Sequence, residues 1–437
     1  MKNFLLFVSD IIVLYLSLVI ALMIRYPLDF QRQYGLHIYP FSLIFISWLL
    51  VFYIANLYEP KTLRNNTHFY STLFQAIITA SAISVIFFYL IPLYGITPKT
   101  NLLIFLVVFT GLEFANRSIS NNVLQKSFKK RVLIVGTNNQ SLELDLFIKE
   151  NPQLGYEIKS VMDISSDKLQ TISQTIQEEK IDTIVLSPEA YQVPEIIDIF
   201  YKSLEQKVSF MNLASFYERL TSRVPLGGIN QVWFLENLSE GTKKLYETTK
   251  QGCDIFGATI IGIVFLPFYP LIALAIKLSS PGPIFFRQKR VGQGGKIFEL
   301  IKFRSTPRTT VGSNVGWEKE PADIYTRFGK FMRSIHLDEI PQIINILMGE
   351  MSFVGPRPER PEFVDELVKN IPFYQERLLV KPGLTGWAQI SIRINASAKD
   401  ALDKLQYDLY YIKNRSLFLD LGIALQTIRI MFQHSGK

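Results

Sequence analysis

The chain has 437 residues, 48% of them hydrophobic with 33 Phe and 20 Tyr, and 19% charged; that mixture excludes a pure transporter and a wholly soluble protein, and the length allows two or three domains. The 46 Lys and Arg exceed the 38 Asp and Glu by 8, a balance suited to anionic lipid headgroups, nucleotide phosphates or nucleic acid, among which charge alone does not choose. Cys253 is the single cysteine, which excludes an intrachain disulfide and a thiolate metal cluster and points to cytoplasmic soluble parts.

Four apolar stretches come first, Leu5 to Met23, Tyr39 to Leu57, Leu73 to Leu93 and a shorter Leu102 to Phe114. Each reads as a transmembrane helix. No small-residue cleavage site follows the first, where Arg25-Tyr26-Pro27 stands instead, so it is kept as a span rather than a leader. Lys61 and Arg64 lie between spans two and three, and Arg117, Lys126, Lys129, Lys130 and Arg131 follow span four. Positive residues mark the inner side, so both termini and everything after Arg117 are expected in the cytoplasm.

From Arg131 to Gly136 begins a region of short β-branched runs, also around Ile181 to Leu186 and Lys207 to Met211, alternating with helical patterns. That alternation predicts a small α/β domain with a parallel sheet. Its first turn, Gly136-Thr137-Asn138-Asn139-Gln140, lacks the glycine fingerprint with which a backbone approaches a pyrophosphate, so a structural or regulatory role, a dimer contact included, outweighs nucleotide binding. Residues 213–250, of mixed polarity, read as a linker back to the membrane. A fifth apolar stretch, Ile255 to Ile276, carries Pro267 and Pro270 in its middle. A kinked span would carry the remainder outside the cell, whereas a re-entrant hairpin bent at the prolines keeps it inside.

Behind it lies a cationic segment, Arg287, Lys289, Arg290, Lys302 and Arg304 among glycines and aromatics. Such a patch suits phosphates or a membrane surface equally. Then comes Leu337-Asp338-Glu339-Ile340-Pro341-Gln342, with Ile340, Ile343, Ile344 and Leu347 at helical spacing. Pro341 belongs in a first turn, so the acidic pair is expected at a helix N-terminus, where ordinary capping explains it when taken alone. The neighbours widen the choice: Gly355-Pro356-Arg357-Pro358-Glu359, Lys381-Pro382-Gly383-Leu384-Thr385-Gly386-Trp387, Arg393, and Asp408 within Tyr407 to Lys413. Carboxylates beside fixed cations are the inventory of phosphoryl transfer. His336 and Cys253 read as polar filling and packing, and the Leu-Ile pattern from Arg415 to Phe432 as an amphipathic surface helix or a core helix.

Residues 250–432 resemble the bacterial sugar transferase family, the monotopic polyprenyl-phosphate phosphoglycosyl transferases, because Lys302-Phe-Arg-Ser305, Leu337-Asp-Glu-Ile-Pro-Gln342, Gly355-Pro-Arg-Pro-Glu359 and Pro382-Gly-Leu-Thr-Gly-Trp-Ala-Gln389 stand in the family's order and spacing. The preceding spans and α/β domain resemble its large form, which initiates exopolysaccharide, capsule or O-antigen units. The fold so implied is a membrane α-helical N-terminal bundle over residues 1–117, an α/β Rossmann-like middle domain over 118–245, and an α-rich monotopic catalytic domain over 246–437 with a re-entrant membrane helix at about 255–276 broken at Pro267. The resemblance implies transfer of a sugar-1-phosphate from a UDP-sugar to undecaprenyl phosphate at the bacterial inner membrane, with UMP released, through a covalent phosphosugar on Asp338. It assigns Glu339 to metal binding or proton handling beside Asp338, with Mg²⁺ as cofactor. Lys302, Arg304, Arg333, Arg357, Arg393 and Asp408 are implied as substrate and phosphate ligands. Its partners are the donor, the lipid acceptor, the membrane and a second copy of the chain, with no nucleic acid.

Departures from the family pattern are Leu266 for a Ser before the break proline, Gln251 for an Arg after Lys250, Thr306-Pro-Arg-Thr-Thr310 without acidic residues, and Ser391-Ile-Arg393 for Asn-x-Arg. They touch hairpin anchoring and the substrate side, not the acidic pair. Two other readings stand beside this one. A membrane-anchored nucleotide-sugar dehydratase or epimerase requires the glycine fingerprint that is missing after Val135, and a non-catalytic scaffold of polysaccharide assembly is disfavoured by an intact Asp338-Glu339.

Overall fold

The long apolar stretches form helices in the computed structural model, which describes residues 2–90, 99–126, 129–164, 166–203, 208–238, 243–306, 325–392 and 398–434. The chain divides into two compact units, residues 1–213 and 214–437. In the first unit, α1 (Lys2–Arg25), α2 (Phe30–Ile54), α3 (Thr67–Leu90) and α4 (Lys99–Lys126) are each long and apolar enough to cross a membrane. Leu14, Leu18, Phe41, Trp48, Phe52, Leu73, Phe105 and Phe109 pack between them. Their other faces expose Ile12, Ile46, Ile78, Ile86, Leu103 and Val107, so these helices are apolar inside and out, as lipid-facing helices are.

The fourth span is longer than its hydropathy suggests. The continuous apolar run stops at Phe114, but α4 runs on to Lys126, and the cation at its centre is paired within the unit. Arg117, fully buried, donates from Nε to Glu113 at 2.7 Å, from Nη1 to the Leu57 carbonyl at 3.0 Å, and from Nη2 to Asp10. Tyr58 donates its hydroxyl to the same Asp10 at 2.7 Å. Charges paired in this way are tolerated where isolated ones are not.

The remainder of this unit is a four-stranded parallel sheet of order β2-β1-β3-β4, with β1 Lys130–Val135, β2 Tyr156–Met162, β3 Thr183–Leu186 and β4 Ser209–Asn212. Helices α5 (Asn139–Glu150), α6 (Ser166–Glu178) and α7 (Pro194–Ser203) connect the strands. The β-branched runs are buried, Leu133, Val135, Ile184 and Leu186 packing with Ile172, Ile176, Ile196 and Phe200. Strand β2, absent from the sequence reading, is an edge strand of only partly buried residues, and its hydropathy signal is correspondingly faint. After β1 the chain turns at Gly136, whose φ is +107° and where a Cβ would sit 1.9 Å from Ser187 Oγ. Asn138 then caps α5 reciprocally with Ser141. Close packing and capping account for this turn without a phosphate.

In the second unit, α8 (Leu213–Thr221) and α9 (Gln231–Asn237) occupy much of the segment expected as a linker. Val224 and Trp233 are instead buried in a core with Val354, Leu405, Leu409, Tyr411 and Ile412, which corrects that expectation: two large apolar side chains suffice to fold the segment onto its neighbours. An apolar helix, α10 (Lys244–Phe265), gives way at Leu266–Phe268 to one 3₁₀ turn, and α11 (Tyr269–Ser279) follows. Pro267 sits in that turn, where a missing N–H breaks the α-helical ladder.

Beyond it, β5 (Phe285–Val291) pairs antiparallel with β6 (Ile297–Phe303), and α12 (Arg327–Ser334) leads to a 3₁₀ segment, Leu337–Gln342, and α13 (Ile343–Leu347). Then β7 (Ser352–Val354), α14 (Pro361–Asn370), β8 (Gly383–Thr385), α15 (Trp387–Ser391), α16 (Ala398–Asn414) and α17 (Leu417–His434) complete the chain, β7 and β8 pairing in parallel. Asn345, fully buried, binds α13 to β6: its Nδ2 donates to Glu299 O and Glu350 Oε2, both at 2.7 Å, and its Oδ1 accepts from Ile301 N–H at 3.1 Å.

Two stability tests follow. Arg117→Gln leaves two buried carboxylates without their cation and should cost about 3–5 kcal/mol, read as a lowered melting temperature of the detergent-solubilised protein. Asn345→Ala strands an amide and a carbonyl of β6 and should cost about 2–4 kcal/mol in the same assay; melting temperatures equal to wild type would contradict both packing assignments.

Candidate functional site

The acidic pair does not open a regular α-helix. His336 adopts a left-handed conformation, φ 56° and ψ 21°, and the 3₁₀ segment that follows contains Asp338, Glu339 and Pro341, with α13 starting only at Ile343. The expected helix start is therefore corrected to a tighter turn, in which Glu339 N–H is already bonded to the His336 carbonyl at 3.2 Å. Pro341 lacks the N–H that an α-helical ladder needs. Consecutive residues of a 3₁₀ turn point about 120° apart, so the two carboxylates meet different neighbours.

Glu339 is gripped by cations. Lys302, near the end of β6, places Nζ 2.8 Å from Glu339 Oε1, and Arg357 Nη2 lies 3.5 Å from the same oxygen. Burial alone would raise the Glu339 carboxyl, but Lys302 and Arg357 overcome it and hold the group at about 2. Burial also depresses the Lys302 ammonium, which Glu339 partly offsets. Asp338 is 7% exposed and makes no hydrogen bond or ion pair among the described residues. Burial pushes its carboxyl up; Lys302 opposes, the adjacent Glu339 charge adds to the rise, and Arg333 opposes more weakly. A desolvated, unpaired carboxylate beside fixed positive charge is a reactive nucleophile toward phosphorus.

Backbone packing delivers Arg357. Prolines on both sides restrict its loop, and a Cβ on Gly355 would lie 2.4 Å from the Lys381 carbonyl oxygen. One on Gly383 would come 2.1 Å from Gly355 N, and one on Gly386 2.2 Å from Gly355 O. The two glycine-bearing motifs are thus pressed together main chain to main chain, continuing the β7–β8 pairing. The Arg357 side chain stays 42% exposed, open to an incoming anion. Arg333, at the end of α12, stacks over the Tyr325 ring with 4.1 Å from Cζ to the centroid.

Other expected ligands stand elsewhere. Arg304 is 3% exposed and gives Nη1 to Pro281 O and Nη2 to Ser280 O, both at 2.7 Å; it clamps the chain leaving α11. Asp408, 2% exposed on α16, is paired with Arg377 at 2.9 Å inside the core. Pro267 lies in the 3₁₀ turn between α10 and α11. Arg393 and residues 307–310 lie outside the described residues. Sequence reasoning passed over Arg377 and Asn345, which belong to no motif and reveal themselves only through burial and bonding.

A hard divalent cation takes oxygen ligands, and Mg²⁺ commonly uses one or two carboxylates with waters and phosphate oxygens completing its shell. Among the described residues no group of three or more His, Cys, Asp or Glu side chains is placed to hold a metal. Of the acidic pair, Glu339 has both of its ion pairs on Oε1, which leaves Oε2 as an oxygen donor.

Residues 245–434, which contain this site, match the family described as bacterial sugar transferase. The chain is 36% identical over 262 residues to the UDP-N-acetylgalactosamine-undecaprenyl-phosphate N-acetylgalactosaminephosphotransferase of Aeromonas hydrophila, covering 56% of this chain and 62% of that protein. It is 36% identical over 207 residues to a UDP-glucose:undecaprenyl-phosphate glucose-1-phosphate transferase of Caulobacter vibrioides, covering 47% of this chain and 78% of that protein. A transferase of the latter description from Escherichia coli is 30% identical over 314 residues, 69% of this chain and 67% of that protein. The chain spans 62% of the Aeromonas relative and 37% of a 43%-identical one from Xanthomonas campestris. With two relatives at or above 30% identity matched over two thirds or more of their own length, the chain belongs to the bacterial sugar transferase family.

Proposed function

We propose that the protein transfers a sugar-1-phosphate from a UDP-sugar to undecaprenyl phosphate, releasing UMP. The observation that carries this reading is the unpaired, buried Asp338 beside a Glu339 fixed by Lys302 and Arg357. The names of its relatives give the class of donor and acceptor. In the proposed first step an Asp338 carboxylate oxygen attacks the sugar-bearing phosphorus of the donor. The bond from that same phosphorus to the bridging oxygen breaks, and the oxygen leaves with the electron pair as part of UMP, giving an acyl phosphosugar on Asp338. A phosphate oxygen of the polyprenyl acceptor then attacks the same phosphorus, and the Asp338 carboxylate departs. Lys302 and Arg357, with Arg333 and Arg393, balance the phosphate charge. Asp338 and Glu339 would hold Mg²⁺, which when bound offsets the charge of the donor diphosphate.

The membrane arrangement belongs to the same proposal. Residues 244–279 are apolar but only 11% of their most hydrophobic window is buried, and a straight helix of that length would extend about 54 Å. Instead both arms return to one body: Ala258 of α10 packs with Leu300 and Ile346, while Ile272 and Ile276 of α11 pack with Phe303 and Met332. Lys250 is tied to Asp420 at 2.9 Å near the root of α10. These contacts support a re-entrant hairpin that enters and leaves by one face. With the positive-inside asymmetry, they favour a catalytic unit on the cytoplasmic side of the bacterial inner membrane, with a Rossmann-like middle domain in the same compartment.

Purified protein with undecaprenyl phosphate should release UMP from at least one of UDP-glucose, UDP-galactose and the UDP-N-acetylhexosamines. Asp338→Asn should abolish release and any labelled phosphosugar on the protein while leaving its melting temperature near wild type; a substantially active variant overturns the mechanism. Lys302→Met, which frees Glu339, should lower kcat by about 10²–10³. The pH profile has a sign as well. Because Asp338 is held above the ordinary carboxylate range, its nucleophilic form is lost as pH falls through that raised value, whereas Glu339, at about 2, stays ionised. Activity should therefore decline on the acid side above pH 4, and a profile flat to pH 4 contradicts the assignment.

A further inference from the structure

We propose that Arg377 is a positioning residue which, anchored by Asp408, holds the backbone of Arg357 and so fixes where that side chain presents its charge. The proposal rests on the reading of Arg357 as a phosphate-binding group. Arg377 lies in the 3₁₀ turn Tyr374–Leu379 and is 6% exposed. Its Nη2 donates to Asp408 Oδ2 at 2.9 Å and to the Arg357 carbonyl at 3.0 Å, and its Nη1 donates to Tyr374 Oη at 2.5 Å. One planar fork therefore spans a helix, a turn and the loop between Pro356 and Pro358. Pro358 has no N–H, so the peptide after Arg357 offers only its carbonyl as a polar handle. Arg377 takes that handle.

A buried ion pair is poor in net stabilisation, and an apolar pair of the same volume often serves as well. What an apolar pair cannot do is hold a carbonyl at a defined point. The groups acting on Asp408 are Arg377, Glu359 and Lys404, and those acting on Arg377 are Tyr374, Asp408 and Glu359. Neither Arg377 nor Asp408 forms a hydrogen bond or ion pair with Asp338 or Glu339 among the described residues. The influence of the pair on chemistry runs through Arg357, whose Nη2 reaches Glu339 Oε1 at 3.5 Å. Lysine preserves the charge of Arg377 but not the fork.

The experiment is a double-mutant cycle on full-length protein. UMP release from UDP-glucose and UDP-N-acetylgalactosamine with undecaprenyl phosphate is measured for Arg377→Lys and Asp408→Asn, each alone and combined with Arg357→Ala, alongside melting temperatures. Each single variant should lose about tenfold to a hundredfold in kcat/KM. In the Arg357→Ala background the same changes should lose less than about twofold, because their target is already gone. Equal fold-losses in both backgrounds, or no loss in either, overturn the proposal. Where Arg377→Lys does not fold, Asp408→Asn, identical in shape to the native residue, completes the cycle. A wild-type protein releasing no UMP from any donor removes the transferase reading first and the positioning role with it.

Discussion

One carboxylate oxygen, Oε1 of Glu339, gathers three stretches of chain that lie far apart in sequence. It draws in Lys302 from β6 and Arg357 from the loop after β7, and the Glu339 backbone belongs to the turn that also bears Asp338. Two cations converging on one anion leave one positive charge to set against the neighbouring Asp338 carboxylate. Asp338 benefits without being neutralised. It lies in the field of Lys302 yet shares no bond with it, so burial keeps its carboxyl raised.

The scaffold under this arrangement is mostly main chain and apolar contact. Ile340, in the turn with the acidic pair, packs against both the α10 cluster and the α11 cluster, so the apolar arms are seated on the element that bears Asp338 and Glu339. On the opposite flank, Tyr411 donates to Asp420 at 2.8 Å and Asp420 also receives Lys250 from α10. The membrane-facing helices and the site are consequently one packed structure, and the proposed hairpin needs no separate anchor.

How much of this could be read from sequence depends on what kind of signal each residue leaves. Periodicity and hydropathy disclose α1 to α3, the break at Pro267 and the buried strands β1 and β3, because each leaves a plain chemical signal. They fail at α4 beyond Phe114, where paired charges replace apolar residues, and at β2, where an edge strand is only half covered. Lys302, Arg357 and the Asp338-Glu339 pair are legible because motifs surround them. Arg304 shows the limit of that method: it shares a motif with Lys302, two positions away, but it lies just past the end of β6 and its buried guanidinium goes to the carbonyls of Ser280 and Pro281. Arg377 and Asn345 have no motif at all, since a buried hydrogen-bonding role is defined by partners distant in the chain.

The contact among Gly355, Gly383 and Gly386 bears on how the family diversifies. Where a single added carbon would overlap a neighbouring peptide, substitution has no room to act, and the floor beneath Arg357 is closed to mutational tinkering. Under the proposed transfer, discrimination among sugars would be written into the surrounding walls, whose side chains can be exchanged while the main-chain foundation stays the same.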